Sequence, residues 1–415
     1  MSANMVVLRL WRKNNPMTLW KIHDISRIQR TICVSTQQRF LLSEKKSATA
    51  AATIMTTNKK LNWNKAISEA EKIVGYPTSF LSLKWLLSDE IANIALHLRK
   101  LVGSNHPLLK TAKNIIFSGH NNVQAFGLVV LLISKAAGHL NVNHIEEDKS
   151  AGVLHSQRTL AGIIEMIRIS SLIHRGLVNI NVDGSLGASE MDNMLFGNKI
   201  ALLSGDYFLG SSCVECATLK NQDVLFLIAS IVAELAQAEF IARRDSQNNP
   251  IPSIPPKDRT GYALKEWELL NIYDAGSLLG NSCQGTLRLA GHNNEIQQEG
   301  RKFGQHLSLA WQAYLDLVLC TNKDKAILYN LCAAPIMFHV EHDPSILAEL
   351  EKGLKSVENV DYLKVLEIVT AGPGIELTKE LIKEHSQKAM EILNIFEEND
   401  ARKALSNIIA TIGDF

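Results

Sequence analysis

The chain of 415 residues lacks the features that mark several common classes of protein. Its six cysteines are scattered and too few for a disulfide-rich secreted scaffold, and they suit a reducing compartment. No apolar run reaches the ~20 residues of a membrane-spanning helix, and the clearest run, at 127–133, suits a buried helix. Period-two runs of β-branched residues and internal repeats are also missing. These absences argue against a membrane-spanning protein, an all-β fold and a solenoid.

Charge is nearly balanced over the whole chain but uneven along it. The net charge is +1, yet residues 1–60 hold 11 of the 43 Lys and Arg and only two of the 42 Asp and Glu. Residues 61–415 therefore hold 32 basic and 40 acidic residues, and this net negative charge argues against a nucleic-acid-binding protein. The two parts of the chain are predicted to have different roles.

Residues 1–58 have the composition of a mitochondrial transit peptide. Basic residues alternate with Leu and Trp and acidic residues are rare, so the segment can form a basic amphipathic helix. A Ser/Thr/Ala run at 47–57 marks the expected end of this leader, and residues 59–415 are expected to form a single domain. The leader predicts the mitochondrial matrix, with peripheral contact to the inner membrane left open. The alternative is an unstructured basic tail that binds acidic surfaces.

Apolar residues recur at helical spacing through most of residues 59–415. The pattern predicts helices over 89–103, 157–179, 193–219, 221–242, 263–291, 295–320, 324–340 and 375–396. Polar loops are predicted at 139–155, 181–192 and 243–261, and the last of these holds four of the ten prolines. The fold class predicted from this pattern is an all-α bundle.

Two short motifs have spacing that resembles a metal site. Cys213 and Cys216 are separated by two residues, but no second pair follows, so buried core thiols are favoured over a zinc site. His339 and His342 lack the i, i+4 spacing of a zinc protease, and an exposed helix end is expected there. Neither motif predicts a metal centre.

Four segments resemble the trans-polyprenyl diphosphate synthases. Residues 160–180, LAGIIEMIRISSLIHRGLVNI, are similar to the helix that carries the family's first aspartate-rich motif, EMIHTASLIHDDxxDE. The other three are FGNKIALLSGDYFLG at 196–210, GSLLGNSCQGTLRLAG at 276–291 and FGQHLSLAWQAYLDLVL at 303–319. The resemblance runs from about residue 90 to residue 393. It implies an isoprenoid synthase-type helical bundle around a central cavity.

The first aspartate-rich motif has lost its carboxylates. Laid on the family pattern, its three aspartate positions hold Arg175, Gly176 and Asn179. Mg²⁺ is held by oxygen ligands, usually one or two protein carboxylates completed by phosphates and waters. The resemblance therefore implies a degenerate metal site at the end of this helix.

The second motif and the phosphate-binding residues are degenerate as well. Leu315 and Leu319 occupy aspartate positions, and only Asp316 remains of that motif. The lysine of the family's KTA motif falls on Asp274, so an anion stands where a phosphate partner would be. The segments that align with the family's GGKRxRP and RRG motifs, 119–126 and 183–189, contain no Lys or Arg. Metal and phosphate sites are thus lost together, which predicts a chain without catalytic residues and without a metal or other cofactor of its own.

Segments 127–138 and 330–342 narrow the resemblance to the non-catalytic second subunits of decaprenyl or solanesyl diphosphate synthases. The implied function is that of an obligate subunit in a heterotetramer. Its catalytic partner holds Mg²⁺ and extends an allylic diphosphate with isopentenyl diphosphate to make the ubiquinone side chain. A polyprenyl chain is a further candidate ligand. The expected partner interface lies on the helices at 89–103 and 193–219.

Two other hypotheses stay open from the sequence. One is a prenyl-lipid binding or scaffolding module that requires no catalytic partner. The other is an active enzyme with relocated metal ligands drawn from Asp316, Glu165 and Asp206. Glu165 lies ten residues before Arg175, about 15 Å up the helix from the old site, which weakens this last hypothesis.

Overall fold

The computed structural model describes residues 63–75, 106–108, 126–140, 147–148, 152–180, 187–256, 258, 260–321 and 330–413. Residues 63–74 are helical. The helices that follow are α1 Phe126–Ala137, α2 His155–His174, α3 Ala188–Thr218, α4 Gln222–Ala238, α5 Tyr262–Asn271, α6 Ser277–Leu289, α7 Asn294–Thr321, α8 Ala334–His342, α9 Leu347–Leu350, α10 Tyr362–Ala371, α11 Gly374–Leu393 and α12 Asp400–Gly413. The fold is all-α, as predicted. The proposed leader at 1–58 and the predicted helix at 89–103 lie outside the described residues.

Two short antiparallel ladders lie in segments that were predicted as loops. β1 Glu147–Asp148 pairs with β2 Val153–Leu154, and β3 Arg243–Arg244 pairs with β4 Pro250–Ile251. Each strand has two residues, so these ladders shape connections and contribute no sheet layer. The second ladder matters for the site, because the turn inside it reaches the end of α2.

The core is built around helices that are buried on nearly every side. Almost all residues of α1 are buried, as expected for the continuous apolar run FGLVVLLISKAA. Residues 277–287 of α6 are buried as well. α7 packs along both α6 and α11, and α2 packs along α3. Gly304 allows the close approach of α7 to α6, since a Cβ there would lie 2.6 Å from the Leu279 carbonyl oxygen.

The helix predicted over 263–291 is broken in its middle. A π-helical turn, Ile272–Gly276, separates α5 from α6, and Asp274 within it has non-helical backbone angles (φ −90°, ψ −105°). The prediction of one continuous helix is therefore wrong. The break places Asp274 beside the end of α2, where it forms an ion pair described below.

Two other helix predictions need correction, and some helices were not predicted. α3 begins at Ala188, inside the predicted loop at 181–192. α8 begins at Ala334 rather than at 324: residues 330–333 are not helical, and a proline stands in the first turn of the helix. The helix at 63–74, α9, α10 and α12 were not predicted. Within the described residues, no helix has the length and apolarity that a bilayer crossing requires.

Candidate functional site

The end of α2 carries the first degenerate motif, and its leading position is held by an ion pair. Arg175 caps α2, and its Nη2 lies 2.7 Å from Oδ1 of Asp274. Asp274 raises the pKa of Arg175 above its usual value, because the neighbouring carboxylate favours the charged guanidinium. The side chains that stand at the positions of a metal-binding aspartate and a phosphate-binding lysine thus neutralise each other's charge. Both side chains are partly exposed, at 43% and 27%.

The other two positions of the motif are built into the surrounding chain. The backbone N–H of Asn179 donates to Oε1 of Gln247 (3.1 Å), and Nε2 of Gln247 donates back to the Asn179 carbonyl (3.0 Å). The Asn179 side-chain amide donates to the Ser246 carbonyl (3.2 Å), so the β3–β4 turn is fastened to this segment. Gly176 leaves little free space, since a Cβ there would lie 3.1 Å from the Ile173 carbonyl oxygen.

Asp316, the one retained aspartate of the second motif, is a buried structural acceptor. Its Oδ2 accepts from Trp267 Nε1 and from the Ala334 backbone N–H, both at 2.9 Å, and its Oδ1 accepts from Gln312 Nε2 at 2.9 Å. The side chain is 1% exposed, and burial raises the pKa of Asp316 to about 6 despite these three donors. The carboxylate therefore ties α5, α7 and the first turn of α8 together and does not face a ligand.

The two leucines of the second motif are half-buried on α7. Leu315 packs against the main core, which is consistent with an apolar side chain at a position that no longer faces a metal. Leu319 lies one turn further along the same helix. Neither offers an oxygen ligand.

The carboxylates of the relocated-ligand hypothesis are not brought together. Glu165 is buried, where its Oε1 accepts from the Gly127 N–H (2.8 Å) and its Oε2 from Arg168 Nε (2.9 Å). Asp206 lies beside His174 on the exposed side of α3, with 3.3 Å between Oδ1 and Nε2. In the part of the chain that the structure describes, no group of three or more His, Cys, Asp and Glu residues is placed to hold a metal ion.

The side chains at the degenerate motifs do not fit Mg²⁺. A magnesium site needs several oxygen ligands in octahedral geometry, with carboxylates facing the diphosphate. Here the first motif offers a guanidinium and a hydrogen-bonded amide, and the second offers one carboxylate whose acceptor sites point into the core. No step of prenyl transfer is assigned to these residues.

Each of the two metal-like motifs has one buried and one exposed residue. Cys216 is buried and burial raises its pKa, as expected for a core thiol, but Cys213 is exposed, so that half of the prediction is wrong. His342 is exposed as predicted, whereas His339 is only 5% exposed. The His339 ring packs on Gly372, where a Cβ would lie 2.2 Å from Nδ1.

Several residues of the site could not be found from local patterns. Trp267 and Gln247 make contacts across 49 and 68 residues of sequence. Gly205 is also explained only by a residue distant in the sequence, because a Cβ there would lie 2.1 Å from Nε2 of His174, and glycine leaves room for that ring between α2 and α3. The family pattern GDY was the only signal for Gly205, and nothing in the sequence marked the other two.

Comparison with known proteins identifies the family of the chain. The family model for polyprenyl synthetases matches residues 124–366, which is more than half of the chain. The chain belongs to the polyprenyl synthetase family. It is 39% identical to all trans-polyprenyl-diphosphate synthase PDSS2 of Homo sapiens over 366 residues, covering 85% of this chain and 88% of that protein.

Lower similarity to other proteins also extends over most of the chain. The mitochondrial solanesyl-diphosphate synthase 1 of Oryza sativa is 27% identical over 340 residues, covering 79% of this chain and 76% of that protein. The crystal structure of geranylgeranyl pyrophosphate synthase from Bacteroides thetaiotaomicron superposes with a TM-score of 0.58 at 15% identity, covering 84% of this chain and 99% of that one. The resemblance stated from the sequence is confirmed for the family and for the fold.

Proposed function

We propose that the chain is a non-catalytic, obligate subunit of a heteromeric trans-polyprenyl diphosphate synthase. The complex extends an allylic diphosphate with isopentenyl diphosphate and makes the side chain of ubiquinone. The complex is located in the mitochondrial matrix, in keeping with the basic leader composition of residues 1–58 and with relatives that are named as mitochondrial. The catalytic partner holds the Mg²⁺, and the two kinds of chain form a heterotetramer.

The observation that carries this proposal is the ion pair between Arg175 and Asp274. Prenyl transfer develops negative charge on a departing diphosphate, which magnesium ions and cationic side chains must stabilise. At these two positions the carboxylate that would hold the metal is replaced by a guanidinium, and the lysine that would meet the phosphate is replaced by a carboxylate. The two charges neutralise each other, so neither is free to interact with the substrate.

A chain that keeps the fold without this chemistry needs a partner that supplies it. A catalytic member of the same family, with both aspartate-rich motifs intact, meets that requirement. Binding to the folded form of such a partner stabilises it by mass action. An inert neighbour can also contribute a wall to the space that receives a growing polyprenyl chain, which makes that chain a further ligand of the complex.

The surface that suits this partner is an exposed stripe along α3. Leu195, Leu202, Leu203 and Val214 are 54%, 48%, 55% and 68% exposed, and they share one side of the helix with exposed Gly210 and Ala217. The same side of this 31-residue helix, about 46 Å long, also carries exposed Asp192, Lys199 and Asp206. Four large apolar side chains exposed on one side of a helix favour an interface between proteins. The second expected interface helix, at 89–103, lies outside the described residues.

The test is prenyl transfer from farnesyl diphosphate and labelled isopentenyl diphosphate with Mg²⁺. Three samples are compared: this chain alone, the catalytic chain alone, and the two co-expressed. Activity in the co-expressed sample only is the expected result. Turnover by this chain alone would overturn the proposal, and full activity of the catalytic chain alone would favour the prenyl-lipid binding or scaffolding role instead.

A further inference from the structure

One side of α4 exposes an apolar stripe, separate from the stripe on α3. It consists of Leu225, Phe226, Ala229, Ala233, Ala236 and Phe240. Phe226 is 71% exposed and Phe240 is 86% exposed. Phe240 lies two residues past the last residue of α4, and its backbone N–H donates to the Gln237 carbonyl (2.9 Å), so the chain still follows the helix there. Two phenylalanine rings exposed on one side of a helix favour an interaction surface.

The α4 stripe is nearly free of charge. The other exposed positions on this side are Gln222, Asp223 and Gln237, and Asp223, at the very start of the helix, is paired with Arg288. A surface without charges has nothing to attract an acidic or basic partner. The composition of the stripe therefore favours an apolar protein surface as its partner.

The α4 stripe is symmetric about Ala233. Phe226 lies seven residues before Ala233 and Phe240 lies seven residues after it, while Ala229 and Ala236 lie four before and three after. At 3.6 residues per turn, these four residues all lie within about 60° of the direction of Ala233. The surface therefore presents a ring, small residues and a second ring when it is followed in either direction. Such a surface is complementary to its own copy across a two-fold axis.

An antiparallel pair of α4 helices that meet at Ala233 would place Phe226 of each copy opposite Phe240 of the other. Alanines at the centre let two helix axes approach to about 8 Å. Four phenylalanine rings then meet, and they supply roughly 600 Å² of the 1,200–2,000 Å² that a stable interface buries. Leu225, the alanines and the glutamines of both copies add further area, so the contact is large enough for a stable dimer.

We propose that the α4 stripe binds a second copy of this chain across a two-fold axis at Ala233. This inference rests on the proposed function, since it assigns the contact between the two copies of this chain in the heterotetramer. The catalytic chain then binds at the α3 stripe.

The first test is oxidative cross-linking of the full chain in its co-expressed complex. Cys33 and the exposed Cys213 are replaced with serine, and the other four cysteines are buried. Ala233→Cys brings the thiols of the two copies together at the axis. Ala229→Cys is the matched control, because this exposed alanine lies one turn away and about 12 Å along the helix from its copy, beyond the ~7 Å Cα separation that a disulfide spans. Copper phenanthroline is expected to give at least tenfold more disulfide-linked dimer of this chain with Ala233→Cys than with Ala229→Cys.

The second test is the mass of the complex by light scattering. Ala233→Glu places two carboxylates at the axis, so the complex is expected to fall from two copies of each chain to one of each while the catalytic chain stays bound. Ala371→Glu, at an exposed alanine on α10, is the control and should keep the mass of the parent.

Two results would overturn the proposal. One is equal cross-linking of Ala233→Cys and Ala229→Cys. The other is loss of the catalytic chain from the Ala233→Glu complex, which would assign the α4 stripe to that chain instead. Full activity of the catalytic chain alone would count against the proposed function, whereas cross-linking at position 233 reports the contact between copies independently of activity.

Discussion

The Arg175 guanidinium lies 2.7 Å from the Asp274 carboxylate, and the two residues carry the charges of a family aspartate and a family lysine in exchanged positions. Replacing Arg175 with Asp places two carboxylates together, and replacing Asp274 with Lys places two cations together. We expect each single change to lower the free energy of unfolding, and the double variant Arg175→Asp/Asp274→Lys to recover about 1 kcal/mol of the summed loss, since the pair is partly exposed. Urea denaturation of the parent, the two single variants and the double variant gives the four free energies of unfolding. Strict additivity of the two losses would contradict a direct interaction.

Asp316 accepts three hydrogen bonds in the core, so we expect its removal to be severe. Asp316→Asn keeps the shape but points an N–H₂ group at a donor, and the expected loss in the free energy of unfolding is about 2–4 kcal/mol. Asp192→Asn, at an exposed position on α3, is the matched control and should change the free energy by less than about 0.5 kcal/mol. A small effect of Asp316→Asn in thermal or urea unfolding would mean that the carboxylate is not a structural acceptor.

The exposed stripe on α3 predicts where an interface substitution acts. Leu203→Asp should reduce co-purification of the catalytic chain by at least tenfold, because a charge must then be buried in an apolar contact. Leu363→Asp on α10 is the control, since Leu363 is 56% exposed and Leu203 is 55% exposed. Size-exclusion chromatography with light scattering reports the assembly. If both variants assemble like the parent, the interface lies on another face.

Gly205 and Gly210 lie five residues apart on α3 in opposite environments. Gly205→Ala drives a methyl group into the His174 ring and should destabilise the chain by about 1–3 kcal/mol. Gly210→Ala meets no atom within 4 Å and should stabilise it by up to about 1 kcal/mol through helix propensity. Thermal unfolding of the two variants should shift in opposite directions, and shifts of the same sign would refute the contact between Gly205 and the His174 ring.

His385 predicts a loss of stability in mild acid. It is 1% exposed, its Nδ1 lies 3.0 Å from Nδ1 of His306, and burial together with the neighbouring charges lowers the pKa of His385 to about 4. The unfolded chain takes up this proton below about pH 6.5, whereas the folded chain does so only near pH 4. Stability contributed by neutral His385 is therefore present above pH 6.5 and lost as the pH falls toward 4, by about 3 kcal/mol in total.

The measurement compares the parent with His385→Gln at several pH values. The raised pKa of Asp316, about 6, acts with the opposite sign, because the folded chain then binds a proton before the unfolded chain does. Taking the difference between the two proteins removes that contribution, since both contain Asp316. A difference that stays constant from pH 7 to pH 4 would contradict the lowered pKa.

Local periodicity was sufficient to predict the helices that build the bundle. α2 and α7 have apolar residues that recur at helical spacing, and α1 is a continuous apolar run, so their positions follow from their own sequences. The π-helical turn at 272–276 was missed because its observed partner, Arg175, lies far back in the chain. α12 was not predicted, although its buried residues repeat at helical spacing and carry the same signal as those of α2 and α7.

The candidate site shows where residue identity is not enough. The sequence indicated which carboxylates were missing, but it left Asp316 available as a weak metal ligand. Its actual role depends on Trp267 from α5 and on the first backbone N–H of α8, and no local pattern reports that convergence. Whether a side chain can bind a ligand depends on the tertiary structure around it, so the role of Asp316 follows only from the fold.

The burial of Asp316 also restricts how this chain could change over time. Its carboxylate joins three helices, so a substitution that freed it to face a ligand would first weaken the fold. Adding carboxylates at positions 315 and 319 alone would leave their neighbour turned inward, in contact with Trp267. Metal binding regained through positions 315 and 319 would therefore have to proceed without Asp316, whose release would also require changes on α5 and α8.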